Sequence, residues 1–201
     1  GASPHYAADP PRLALRLRRA GAATRAFVNN YFMVGYAPVG VDMGFARVDD
    51  HRFRTKDTAL VTENAIHWLK ENSKSRFFMF CNYNSPHEPW EPPPQFLQRV
   101  PPPPAGPRDD VIRRYLAEAA KDDEAIGMLL HTLDELGLRD NTLVVVTADH
   151  GETFSSAHAG VSLLDKMQVR FHHAVSNFEE TTHVPILMSL PKVLPENLAV
   201  S

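Results

Sequence analysis

The residues best suited to chemistry stand together near the end of one apolar segment. Asp149, His150 and Gly151 directly follow residues 142 to 148, a continuous and largely β-branched run. Such a run predicts a central parallel strand buried on both faces. Ligands of open α/β sheets gather at the carboxyl ends of the strands, where a carboxylate and an imidazole suit a divalent metal and Gly151 allows a tight backbone turn. Taken as a bare tripeptide, Asp-His-Gly is more often only a turn.

A second candidate, His87, follows another apolar strand. Residues 76 to 83 contain Phe-Phe-Met-Phe-Cys and lead into Asn-Ser-Pro-His-Glu-Pro-Trp at positions 84 to 90. The prolines on either side of His87 restrict the backbone and hold the ring in one direction. A lone loop histidine is more often incidental, so its role depends on its surroundings. Cys81, the only cysteine, excludes an internal disulfide and is interpreted as a small core residue rather than a nucleophile, because no base is suggested nearby.

These residues need an α/β framework to position them. Strands are predicted at residues 24–28, 76–83, 142–148 and 186–190, with helices at 12–20 and 58–72. In the second helix, Val61, Ala65, Trp68 and Leu69 form one buried stripe. Residues 29–50 are interpreted as a loop that either lines a pocket or packs on the surface. Residues 88–107 are interpreted as a surface loop, and the dense prolines of residues 92–107 favour extended polyproline geometry over a packed element.

A third, longer helix is predicted to begin near Asp109 or Asp110 and to end at Gly137. Its apolar stripe runs from Ile112 through Leu116 to Leu133. The charged residues 121–124 within it are interpreted as a solvated face, because neighbours at i and i+1 point apart.

Composition excludes several classes of protein. With 43% hydrophobic and 22% charged residues, the chain is typical of a globular domain. A net charge of −3 argues against nucleic acid as a partner. No apolar run approaches the roughly 20 residues that a membrane-spanning helix needs, and no charged-then-apolar leader opens the chain.

The run Asn-Thr-Leu-Val-Val-Val-Thr-Ala-Asp-His-Gly-Glu at positions 141–152 resembles the metal-binding strand of the sulfatase family, within the alkaline phosphatase superfamily. Residues 17–28, Leu-Arg-Arg-Ala-Gly-Ala-Ala-Thr-Arg-Ala-Phe-Val, resemble the family segment that follows the nucleophile helix. The resemblance implies an alkaline phosphatase-like α/β fold with a largely parallel central sheet flanked by helices. By this resemblance, residues 1–201 form a single partial catalytic domain.

The resemblance also implies site residues. Asp149 and His150 would be two ligands of one divalent cation, usually calcium in sulfatases, with magnesium or manganese as alternatives. His87 would contact the sulfate ester. A second basic residue returns to the sulfate before the Val-Pro element in this family. His173 and His172 fit by their proximity to Asn-Phe-Glu-Glu and Lys166 fits by residue type, so the three remain open.

One family feature is not found. Sulfatases mature a Cys or Ser within Cys-x-Pro-x-Arg to a formylglycine nucleophile, whereas Cys81 is followed by Asn-Tyr-Asn-Ser. The Asp pair of the family's first strand is also not found. We therefore expect a piece of a sulfatase catalytic domain whose nucleophile lies upstream, and we expect the 201-residue chain alone to be inactive.

Three functions stay open at this point. The first is hydrolysis of a sulfuric ester, with a sulfated small molecule or glycan as substrate. The second is phosphoryl or phosphonate ester hydrolysis or transfer through Ser or Thr, and the third is a non-catalytic sulfatase-like domain. The resemblance favours a periplasmic or secreted protein and leaves the oligomeric state open. If strands 77–83 and 142–148 are parallel in one sheet, His87 should share a cleft with Asp149 and His150.

Overall fold

The computed structural model describes residues 12–31, 33–34, 44–102, 107–154 and 177–199. The chain divides into two compact units, residues 1–137 and residues 138–201. Each unit is described by itself below.

A three-stranded parallel sheet forms the centre of the first unit. Its strands are β1 (Ala23–Val28), β2 (Arg47–Asp50) and β3 (Phe77–Asn82), in the order β2-β1-β3. Parallel strands require a crossover connection, and α2 (Thr58–Glu71) supplies it between β2 and β3. The helix α1 (Leu13–Arg19) precedes β1. The predicted α/β class with parallel strands flanked by helices is confirmed in this unit.

The main core of the first unit lies between the sheet and α2. Phe27 of β1 is fully buried and meets Trp68 of α2, with ring centroids 6.2 Å apart and edge to face. Val61 and Ala65 complete this cluster and are also fully buried. The stripe predicted for α2 is therefore confirmed, since every position in it is buried.

The interpretation of residues 29–50 as loop is wrong at its end, where β2 forms a strand. The sequence Arg-Val-Asp-Asp carries almost no apolar signal, because β2 lies at the edge of the sheet and pairs with β1 alone. A bidentate ion pair between Arg25 of β1 and Asp49 of β2 joins the two strands. Its side-chain hydrogen bonds raise the pKa of Arg25.

The proline-rich segment also contains a packed element. The short helix α3 (Pro94–Leu97) interrupts it, with proline at the first helical position, where a missing N–H costs nothing. Phe96 is buried, and α3 packs on α4 (Pro107–Glu135). The prediction of an extended surface loop throughout residues 88–107 is therefore wrong here, because one buried aromatic ring anchors a turn of helix.

The helix α4 is confirmed, but its buried face coincides with the predicted apolar stripe only in part, at positions such as Leu133. Leu116 is 46% exposed, whereas Glu118 and Asp122 are almost completely buried. The interpretation of residues 121–124 as a solvated face is thus wrong for Asp122 and correct for Asp123 and Glu124. Hydrophobic periodicity cannot detect this face, because part of it is polar. Within the described ranges, no helix is both long and apolar enough to cross a membrane.

The second unit contains β4 (Val144–Thr147), β5 (Ile186–Ser189) and the short helix α5 (Glu179–Thr182). The prediction for β4 is wrong in two respects. Within this unit β4 pairs antiparallel with β5 rather than parallel with its neighbour, and Val145 is 48% exposed rather than buried on both faces. An apolar β-branched run indicates a strand, but the direction of its neighbour depends on long-range pairing.

Candidate active-site elements

The loop that carries His87 is fixed to the end of the neighbouring strand. Asn29 follows β1 and is fully buried, and its side-chain oxygen accepts a hydrogen bond from the backbone N–H of Asn84 at 3.1 Å. The backbone N–H of His87 donates to the carbonyl of Asn84 at 3.3 Å, and the indole of Trp90 donates to the carbonyl of Pro86 at 2.8 Å. His87 therefore stands in a tight, hydrogen-bonded turn beyond the carboxyl end of β3.

The His87 ring itself is oriented by a backbone carbonyl. Its Nδ1 lies 2.8 Å from the carbonyl oxygen of Glu88. Because a carbonyl can only accept, Nδ1 carries the hydrogen, and in the neutral ring Nε2 carries the lone pair. This is the arrangement that a histidine needs to accept or deliver a proton at one defined atom.

A lysine lies beneath the same loop. The Nζ of Lys56 donates to the carbonyl oxygen of Ser85 at 2.8 Å and also to that of His87. Lys121 of α4 donates in turn to the carbonyl of Lys56 at 3.3 Å. Burial lowers the pKa of Lys56.

A buried hydroxyl pair connects the loop to α4. The hydroxyl of Ser85 lies 2.6 Å from that of Thr58, which donates to Asp122 at 2.8 Å. Burial raises the pKa of Asp122 to about 6, although the hydrogen bond from Thr58 and the charge of Lys121 act in the opposite direction. Sequence reasoning missed these residues, because Asp122 looks like one member of an exposed charged run. Its only sequence signal is a position on the helix face that also contains Ala125 and Leu133.

In the second unit, Asp149 and His150 form a compact donor pair after β4. The backbone N–H of His150 donates to one oxygen of Asp149 at 3.0 Å. The Nδ1 of His150 lies 2.8 Å from the carbonyl of Gly151, so Nδ1 carries the hydrogen and Nε2 bears the lone pair of the neutral ring. A histidine that donates its other N–H to a carbonyl is the usual state of a metal ligand.

The pair fits part of a divalent metal site. Asp149 Oδ2 and His150 Nε2 lie 3.8 Å apart, a separation that two donors about 2.3 to 2.6 Å from one cation can span. The part of the chain that the structure describes contains no group of three or more His, Cys, Asp or Glu residues able to hold a metal. Asp149 and His150 thus offer two donor atoms, and metal binding by this pair stays a prediction.

Gly151 is required by close packing rather than by a left-handed turn. Its N–H donates to the carbonyl of Thr181 at 2.9 Å, and a Cβ atom on Gly151 would overlap the carbonyl oxygen of Glu180. Gly151 is not among the glycines with positive φ, so the predicted tight turn is not what demands glycine. The segment around α5 thus fixes the backbone that carries Asp149 and His150.

The remaining candidates have different outcomes. His172, His173 and Lys166 lie outside the described residues, and a cleft shared by His87, Asp149 and His150 stays a prediction. Cys81 is partly buried and packs against the Phe27 cluster, and burial raises the pKa of its thiol to about 12, which agrees with a structural rather than a nucleophilic role.

The three-stranded parallel sheet and its crossover helix α2 define an α/β protein. The family model for sulfatases matches residues 16–200. The chain belongs to the sulfatase family.

The relatives share part of their length with this chain. An ulvan-active sulfatase of Formosa agariphila is 35% identical over 82 residues, which cover 41% of this chain and 14% of that protein. Human iduronate 2-sulfatase is 27% identical over 175 residues, covering 65% of this chain and 30% of that protein. An N-acetylgalactosamine-6-O-sulfatase of Bacteroides thetaiotaomicron is 26% identical, covering 68% and 26%. The chain thus matches less than a third of the length of these relatives.

Solved structures share the fold. Ps i-CgsB in complex with a neocarrahexaose superposes with a TM-score of 0.71 at 16% identity, covering 97% of this chain and 50% of that one. The phosphonate monoester hydrolase of Silicibacter pomeroyi gives a TM-score of 0.70 at 17% identity, covering 94% and 54%. At these identities the likeness shows the α/β fold alone.

Proposed function

We propose that this chain is part of a sulfuric ester hydrolase. It contributes His87, which contacts the substrate, and two metal ligands, Asp149 and His150. The observation that carries the proposal is the state of Asp149 and His150 within a chain of the sulfatase family. Their donor atoms lie 3.8 Å apart, and the ring of His150 is held by Gly151 with its lone pair on Nε2.

His87 has the role of a proton donor and hydrogen-bond donor to the ester. Glu88 holds its Nδ1, so the ring acts through Nε2. A protonated Nε2 donates to an oxygen of the sulfate group or delivers its proton to the leaving alcohol, which otherwise departs as a costly alkoxide. One of His172, His173 or Lys166 is proposed to supply a second positive charge to the sulfate.

Asp149 and His150 would hold a divalent cation, which we propose to be calcium, with magnesium or manganese as alternatives. When bound, such a cation offsets the negative charge of the sulfate oxygens. We propose a formylglycine outside residues 1–201 as the nucleophile. The short share of each relative that the chain matches supports a nucleophile elsewhere in the protein.

Sulfated sugars are the proposed substrate class. Two of the relatives are named for N-acetylgalactosamine and iduronate, which are both sugars. A phosphonate or phosphoryl ester is the competing substrate class on this fold, and a non-catalytic domain is the competing function.

The test uses the full-length protein with an aryl sulfate and the matching aryl phosphonate as substrates. His87→Ala and His150→Ala should each lower kcat/KM for the sulfate about 100-fold or more, because each removes a group that contacts substrate or metal. After treatment with a chelator, added calcium should restore sulfate turnover in the wild-type protein but not in His150→Ala. His67→Ala is the matched control, since His67 is exposed on α2 and, among the described residues, pairs with Glu71 one turn further along the helix. Preference for the phosphonate, or unchanged sulfate turnover in both variants, would reject the proposal.

A further inference from the structure

The main chain on both sides of Pro86 is held by one side chain from outside the loop. Lys56 Nζ donates to the carbonyls of Ser85 and His87, which flank that proline. An ammonium carries three donors and no acceptor, so it suits a pair of backbone carbonyls. The ammonium of Lys56 therefore fixes the position of the backbone at Ser85 and at His87.

Ser85 is fixed a second time, through its side chain. It is fully buried, and its hydroxyl meets that of Thr58, which donates to Asp122. The carbonyl of Ser85 is thus bonded by Lys56, and its hydroxyl is bonded by Thr58 of α2, which is itself held by Asp122 of α4. The residue two positions before His87 has little freedom to move.

The anchors themselves lie on a rigid support. Lys56 and Thr58 flank Asp57, the N-cap of α2, whose carboxylate accepts a hydrogen bond from the N–H of Leu60 at 2.9 Å. Lys121 of α4 also donates to the carbonyl of Lys56. The position of Lys56 is consequently determined by two helices rather than by the loop that it holds.

We propose that Lys56 is a positioning residue for His87. Its ammonium fixes the carbonyl of His87 while Glu88 fixes the ring through Nδ1, and together these two bonds direct Nε2. The inference rests on the proposed function, in which His87 contacts the ester. Lys56 acts on the reaction through His87, because two of its three donors are bonded to backbone carbonyls of the loop that carries His87. A displacement of about 1 Å at a reacting group lowers a rate by about 100-fold, which gives the scale of the expected effect.

A double-mutant cycle in the full-length protein tests this role. Lys56→Met keeps the length of the stem and removes the donors, and it should lower kcat/KM for an aryl sulfate about 10- to 100-fold. In a His87→Ala background the same change should alter kcat/KM by less than about threefold, because the group that Lys56 positions is gone. Lys56→Arg, which keeps a cationic donor, should restore most of the activity. Lys70→Met is the matched control on the exposed side of α2 and should leave kcat/KM unchanged.

A second double-mutant cycle uses Thr58→Val, which removes the hydroxyl that bonds Ser85, and Thr58→Ser, which keeps it. Independent, multiplicative losses in the cycle, or a loss that follows only the fraction of folded protein in thermal unfolding, would overturn the positioning role. A His87→Ala protein with wild-type sulfate turnover would instead reject the role of His87 in the proposed function, so the two failures are distinguishable.

Discussion

The carbonyl of Glu180 lies against the α-carbon of Gly151 with no room for a side chain between them. A Cβ atom on Gly151 would overlap that carbonyl oxygen, and it would lie 3.1 Å from the carbonyl carbon and 3.4 Å from the α-carbon of Thr181. The contact joins the residue after the proposed metal ligands to the helix α5. The backbone that presents Asp149 and His150 is therefore shaped by a segment about 30 residues further along the chain.

Gly151→Ala should destabilise the protein and impair metal binding. The backbone of α5 or of residues 149–151 must move to admit the methyl group, at a cost of about 1 to 3 kcal/mol. We expect a lower midpoint of denaturant unfolding and at least a tenfold weaker calcium affinity by calorimetry of the full-length protein. The matched control is Gly127→Ala, an exposed position inside α4 where a Cβ atom meets nothing within 4 Å. That change should stabilise α4 by about 0.5 to 1 kcal/mol. Equal effects of the two substitutions would contradict the close-packing explanation.

Asp122 should make stability depend on pH in an unusual direction. Burial raises its folded-state pKa from 3.8 to about 6, so its contribution is fully present below about pH 4 and is lost as pH rises through about 6. The difference between these two pKa values corresponds to about 3 kcal/mol of unfolding free energy. Lys56, Lys121 and Glu118 are the charged groups that face it.

Asp122→Asn keeps the shape and cannot ionise. Its free energy of unfolding, relative to wild type, should therefore rise by about 3 kcal/mol between pH 4 and pH 7, measured by urea titrations at each pH. The exposed neighbour provides the comparison, since Asp123→Asn should show no such trend. A flat difference for Asp122→Asn across this range would show that the carboxylate is not desolvated.

Cys81 should resist alkylation in the folded protein. Burial raises the pKa of its thiol to about 12, so the thiolate is a very small fraction at pH 8. Labelling by iodoacetamide, followed by intact-mass spectrometry, should be at least about 100-fold slower than in the same protein unfolded in urea. Rapid labelling under native conditions would mean that Cys81 is a reactive thiol rather than a core residue.

The sequence by itself determined the features that depend on local patterns. The stripe of α2 follows from 3.6-residue periodicity, and the strands β1 and β3 follow from short apolar runs. Asp149 and His150 become candidates because they directly follow such a run, and His87 becomes one because it stands in the loop after another; their roles stay predictions. All of these depend on neighbours along the chain, so they can be read without knowing what packs against them.

Tertiary structure alone decided the partner of β4, the strand β2 and the polar buried face of α4. Strand direction depends on which distant segment supplies the hydrogen bonds, and an apolar run is compatible with either direction. Asp122 is buried where α2 packs on α4, and a hydrogen bond from Thr58 of α2 offsets part of the cost. Hydrophobic periodicity cannot predict such a residue, because its partner comes from another helix. Likewise, Gly151 is required because Glu180 approaches it from far along the chain, and only long-range packing brings those two backbones together.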